Sequence, residues 1–206
     1  MSASARISTN LKLFIGSMML WAVVLAGAAR ADTYVFDRDH TLVSFSWERT
    51  GLSRQQGRFT DVQGSVAFDP AKVEESTVDV TVRISSLQTG VDALDRQLRS
   101  RDFFDSGSFP VATFKSTQVR ATGEKSGEIT GDLTIMGITK PVTLDVTWVS
   151  LGEHPHGSIN AAYRGRTVAV FRATGSLKRS DWGLARVVPL VSDEIRLTIE
   201  AEMLKR

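Results

Sequence analysis

Gly131-Asp132-Leu133-Thr134-Ile135-Met136-Gly137-Ile138-Thr139-Lys140-Pro141-Val142-Thr143-Leu144-Asp145-Val146-Thr147-Trp148 decides the fold class. Leu133 and Ile135 alternate with Asp132 and Thr134. After a turn-like step at Gly137, Val142, Leu144, Val146 and Trp148 alternate with Thr143, Asp145 and Thr147. Successive side chains of a strand point to opposite faces, so each run is a strand with one dry and one wet face. The same rhythm appears in Val43, Phe45 and Trp47, in Val78, Val80, Val82 and Ile84, and in Ile195, Leu197, Ile199 and Ala201.

Working outward, further strands fit 33–37, 58–68, 110–119 and 167–177. Within 58–68 the apolar phase slips between Phe59 and Val62, which predicts a bulge. One segment breaks the rhythm. Thr89-Gly90-Val91-Asp92 reads as an N-cap with an acidic third position, and Leu87, Val91, Leu94 and Leu98 recur at helical spacing, predicting a short amphipathic helix. A second helical turn fits 178–184, and 152–165 reads as a longer loop. About eight antiparallel strands must bury their dry faces, either as a sandwich or by closing into a barrel capped by the helix.

The N-terminus is of a different kind. Arg6 and Lys12 precede 17 uncharged residues (13–29), and Ala29-Arg30-Ala31 supplies a small-x-small step. A basic start, a short apolar heart and such a step read as a cleaved signal peptide over 1–31, leaving one domain over 32–206 and predicting export to the periplasm. Removing the three leader cations turns 25 basic against 23 acidic residues into 22 against 23, a formal charge of −1. No basic field remains to favour nucleic acid. With no cysteine in the chain, thiol chemistry and cysteine metal sites are excluded.

No nucleophile elbow, phosphate-binding loop or dinucleotide fingerprint is present. The histidines are His40, His154 and His156; His154-Pro155-His156 reads as a solvated loop, and His40 as a structural or surface residue, so no metal or cofactor is expected. Catalysis is not expected either, for want of a nucleophile with a matched base. The aromatic residues are the better signal. They occur in nearly every segment, and Phe103-Phe104-Asp105-Ser106-Gly107-Ser108-Phe109 follows the expected helix. A helix and an apolar loop over a barrel mouth are what an apolar ligand requires.

Asp102-Phe103-Phe104-Asp105 followed by Phe109-Pro110-Val111-Ala112-Thr113-Phe114, the 131–144 run, and Arg179-Ser180-Asp181-Trp182-Gly183-Leu184 together resemble the YceI-like, polyisoprenoid-binding family. The resemblance implies a lipocalin-like closed antiparallel barrel of about eight strands, capped by the short helix. It also implies a periplasmic location, no catalytic residues, and a lumen holding a polyisoprenoid, quinone tail or fatty-acid-like lipid. The family often carries histidine at the positions of Arg49 and Gln97; if either histidine helps hold a polar headgroup there, the resemblance implies a different headgroup for this chain, with Arg49 able to hold an anion through two bonds.

The expected lumen lining is Val43, Phe45, Trp47, Phe114, Ile135, Trp148, Phe171 and Trp182, closed by Leu94, Leu98, Phe103 and Phe104. Arg49, Arg99 and Lys140 are the candidate headgroup contacts. Each five-carbon isoprene unit moved from water into such a lumen gains about 3–4 kcal/mol, at ~0.8 kcal/mol per carbon. The expected partner is therefore an amphiphilic lipid, with transient contact to inner-membrane proteins and a homodimer left open. The alternative is an envelope stress or interaction module whose barrel is packed solid.

Overall fold

In the computed structural model, which describes residues 31–206, the alternating runs form one antiparallel sheet of eleven strands. These are β1 (Asp32–Phe36), β2 (Leu42–Arg49), β3 (Ser53–Phe59), β4 (Val62–Phe68), β5 (Thr77–Arg83) and β6 (Leu87–Gln88), then β7 (Val111–Ala121), β8 (Ser126–Ile135), β9 (Ile138–Glu153), β10 (Thr167–Lys178) and β11 (Glu194–Lys205). One helix, α1 (Asp92–Arg99), joins β6 to β7. The expected signal peptide lies outside the described residues, apart from Ala31. Among the described residues no helix is long and apolar enough to cross a membrane.

Eleven segments make eight staves. β11 pairs along one edge with β10 and along the other with both β2 (Val43 opposite Ile199) and β1 (Phe36 opposite Met203). Likewise β3 and β4 pair with β2 and β1, and β6 and β5 with β3 and β4. Each of these three segment pairs is one interrupted strand, and the staves follow one another up and down until β11 meets the first. This closure joins the last stave to the first and resolves the choice between sandwich and barrel. The phase slip after Phe59 is a full break rather than a bulge within a continuous strand. The Thr60 N–H turns to Ser86 Oγ (3.2 Å), and Asp61 O accepts from Arg83 N–H (3.0 Å).

The dry faces point inward and form three apolar clusters spaced around the interior. Two glycines decide how the rings lie. A Cβ on Gly57 would sit 2.6 Å from Phe45 Cζ, and one on Gly131 would sit 2.4 Å from Phe114 Cζ. Each ring therefore lies over the bare backbone of its neighbouring strand instead of projecting into the middle.

The helix is shorter than its sequence pattern. Val91, not Thr89, is the N-cap, and Asp95 reaches back one turn to take the Thr89 N–H (2.7 Å) and hydroxyl (2.6 Å). Leu87 belongs to β6 and is fully buried, while Val91 is exposed, so the apolar face that meets the barrel carries Leu94 and Leu98. The expected helical turn near 178–184 is a tight turn over Arg179–Trp182, ended by Gly183 at φ 79°.

Candidate ligand-binding cavity

Inside the barrel lies a cavity of about 860 Å³. That is near the upper end of the roughly 300–1,000 Å³ typical of small-molecule sites. Its wall is the set of inward side chains fixed by strand alternation. Val43, Phe45 and Trp47 come from β2, Phe114 from β7 and Ile135 from β8; Trp148 comes from β9 and Phe171 from β10. Trp182 joins them from the tight turn, with Leu94 and Leu98 from α1 and Phe103 and Phe104 from the loop that follows. All twelve residues expected to line the lumen face this one space. Phe45 stacks on Trp47 (5.7 Å between centroids) and leans on Phe59 (5.3 Å); Phe59 in turn meets Phe104 edge-on (6.1 Å). At the opposite end Phe68 meets Trp148 (5.3 Å) and Phe171 (5.2 Å) edge-on. Rings in these arrangements hold one another in place and leave the axis open.

Polar groups gather where the cavity meets solvent. At the helix end Arg49, Thr50, Gln55 and Gln97 border it. At the far end the β7–β8 turn brings Glu124, Lys125 and Ser126 to it, with Lys125 Nζ 5.7 Å from the Trp148 ring centre. Of the three cations expected at a headgroup, only Arg49 reaches the cavity. Arg99 is taken up within the fold: its guanidinium donates to the Leu87 carbonyl and lies 3.9 Å from Asp95. Lys140 is exposed near the start of β9; it shares the inward phase of Val142 and Leu144, opposite Leu133, but does not border the cavity. The Gln97 position, where the family resemblance placed a histidine, does border the space.

Arg179 is the feature least visible in the sequence. Only 7% exposed, it lines the cavity wall and donates to four carbonyls, those of Leu184, Arg186 (2.8 Å), Val191 (3.0 Å) and Ser192 (2.9 Å). Burial lowers its pKa, while the Asp193 carboxylate opposes that shift. Asp193 takes the Ser180 N–H (2.8 Å) and hydroxyl (2.7 Å), bonds that hold its own pKa below the usual range. Trp182 Nε1–H donates to Leu133 O (3.1 Å), fastening the turn to β8. The Arg-Ser-Asp-Trp-Gly element is therefore a bracket that holds the 184–193 loop over one end of the barrel.

A second polar group closes the 154–166 loop against the outside of the barrel. The loop is not simply solvated, because His154 is 3% exposed and stacks on Tyr163 at 3.9 Å. His154 Nδ1 accepts from His156 N–H (3.1 Å), so its Nε2 carries the proton and donates to Glu202 (2.8 Å). Tyr163 donates to Asp37 (2.7 Å), which also bonds His40 (3.0 Å). This donation pushes the Tyr163 hydroxyl up to about 12. Burial raises the Asp37 pKa, but the bonds from Tyr163 and His40 outweigh it and hold the carboxyl below the usual range; Asp37 in turn raises His40. Asp37, His40 and Glu202 bring donor atoms within 4.8 Å of one another, and each is already engaged in these bonds.

A closed up-and-down antiparallel barrel around an apolar cavity, with one capping helix, defines a lipocalin-like barrel protein. Within that class the chain belongs to the YceI-like domain family, whose profile matches residues 34–203. A UPF0312 protein of Azotobacter vinelandii is 35% identical over 195 residues, covering 93% of this chain and 97% of the relative. The crystal structure of Burkholderia cenocepacia BcnA shares the fold with a TM-score of 0.71 at 24% identity, over 81% of this chain and 98% of that one. A domain from Saccharophagus degradans described as polyisoprenoid binding does so with a TM-score of 0.58 at 13% identity, over 85% and 99%.

Proposed function

We propose that the protein is a non-catalytic periplasmic binder and carrier of a long-chain apolar lipid, a polyisoprenoid, quinone tail or fatty-acid-like molecule, held in the barrel lumen. The observation that carries this reading is the cavity of about 860 Å³ with its continuous aromatic and aliphatic wall. The same space speaks against a solid interaction module. A hydrocarbon tail is not stably dispersed in an aqueous compartment, and moving it into this wall gains about 0.8 kcal/mol per carbon. The description of the Saccharophagus degradans domain as polyisoprenoid binding is in keeping with such a cargo.

The headgroup end is assigned to the helix side. There Arg49 and Gln97 border the cavity beside Thr50 and Gln55. The Arg49 fork can hold a phosphate through two parallel bonds, and its charge does not vary with pH as that of histidine does. Titrating delipidated protein with a polyprenol tests the reading through Trp47, Trp148 and Trp182, whose indoles line the lumen. A saturable change in tryptophan emission at one lipid per chain is the expected result. No change, with the protein folded, would remove the carrier function.

A further inference from the structure

We propose that the helix end of the barrel docks on the surface of a lipid bilayer, with the apolar tips of its turns inserted at the boundary between headgroups and acyl chains. This inference rests on the carrier reading for its purpose, though not for its test. Nine large apolar side chains are exposed among the described residues, and their placement is uneven. Seven of them, among them Leu52, Val91, Ile138, Val187, Val188 and Leu190, belong to turns and ends on the helix side. Leu52 is 86% exposed at the β2–β3 turn.

These tips form one rim. Thr50 N–H donates to Leu190 O (2.8 Å) and Arg49 bridges to Val191, so the β2–β3 turn is tied to the 184–193 loop. Arg186 meets Asp102 at 3.3 Å, linking that loop to the segment after α1. Ile138 Cδ1 lies 3.8 Å from where a Gly183 Cβ would stand, which places the β8–β9 turn beside them. Val187 holds φ at 61°, an unfavourable angle for a β-branched residue, between two carbonyls that Arg179 grips. The rim is thus braced from inside while its side chains face outward.

Two observations select a bilayer as the occupant. The rim is continuous with the cavity: Val187 and Leu190 are exposed yet also line the lumen, so a lipid leaving a membrane beneath them enters without crossing water. Charge is also suitable, because Arg49 and Arg101 are exposed at this end and form no ion pair among the described residues, leaving them for lipid phosphates. A second copy of the chain would need a flat face or a free strand edge to pair with. Separate tips on tight turns offer no flat face, and the short outer edge of β3 that β6 leaves unpaired carries the polar Ser53, Arg54, Gln55 and Gln56.

Vesicle flotation with the protein of residues 32–206, which contain every strand described above, tests the proposal without the apolar 13–29 stretch. The vesicles are phosphatidylcholine with phosphatidylglycerol. The wild type should float with them, and Leu52→Asp should weaken binding about tenfold, the value of one buried leucine. Combining it with Val188→Asp should weaken binding further. Neither residue borders the cavity, so polyprenol uptake in solution should be unchanged in both variants. Ile159→Asp, at an 82% exposed site on the opposite end, should float as the wild type does. A wild type that stays with the dense fraction, or an Ile159→Asp variant that loses as much as Leu52→Asp, would overturn the docking surface. So would concentration-dependent dimerisation that Leu52→Asp abolishes while flotation persists. Failure of polyprenol uptake with flotation intact would instead strike the carrier reading and leave the docking surface standing.

Discussion

Filling the lumen from within should separate stability from binding. Ala173 on β10 is a small inward residue bordering the cavity, between the inward Phe171 and Gly175. Ala173→Phe adds a six-carbon ring that points into open space if the barrel is hollow. The apo protein should then be as stable as the wild type, or more stable by about 1–2 kcal/mol, because apolar area is covered without a clash. Binding should move the other way. A ring that displaces six ligand carbons removes up to about 5 kcal/mol at ~0.8 kcal/mol each, more than three decades in Kd unless the tail reroutes. Urea unfolding of the delipidated variant reads the first effect and polyprenol titration the second. In a solid core the same substitution would overpack and cost about 1–3 kcal/mol. Loss of stability with undiminished uptake would refute the hollow-lumen reasoning.

Three further outcomes follow from the geometry. Arg179→Met keeps an unbranched apolar stem but deprives four carbonyls of their donor, and should cost about 3 kcal/mol in urea unfolding; a loss below about 1 kcal/mol would show that the bracket is not needed. Asp37 sits below its ordinary 3.8, so its contribution to stability is present above that value and lost as pH falls through the lowered one; His40 sits above 6.5, so its contribution is full below 6.5 and lost as pH rises through the raised value. Tyr163→Phe removes the donor to Asp37, and the acid limb of the melting-temperature profile should therefore move up toward the ordinary carboxylate range; an unmoved limb would contradict the clamp. Arg49→Ala should weaken a polyprenyl phosphate about tenfold or more while leaving the corresponding alcohol nearly unchanged, since charge-assisted bonds are worth about 1.5–3 kcal/mol. Equal losses for both lipids would move the headgroup elsewhere.

Strand alternation made the inward face legible because a barrel wall has only two sides, and a run such as Val43, Phe45 and Trp47 can bury only one of them. Alternation also located the slip between Phe59 and Val62, but not that it is a full break rather than a bulge. The break depends on the Thr60 N–H donating to Ser86 Oγ and the Arg83 N–H donating to Asp61 O, partners distant in sequence. The helix start moved because Asp95 satisfies Thr89 across a turn, and a spacing rule read forward from Thr89 misses a carboxylate reaching back. Among the cations, Arg99 and Lys140 look no different from Arg49 in a string of letters. Only the Leu87 carbonyl beside Arg99 and the place of Lys140 near the start of β9, outside the cavity wall, separate them. Arg179 and His154 were hidden for a related reason: polar residues are usually exposed, and their burial here is made tolerable by partners in other segments.

Native mass spectrometry of the protein released gently from cells tests most directly whether the barrel holds a lipid. The account predicts a second mass peak above that of the polypeptide, which organic extraction removes and an added polyprenol restores at one molecule per chain. A bare polypeptide mass, unchanged by any lipid offered to the folded protein, would contradict it.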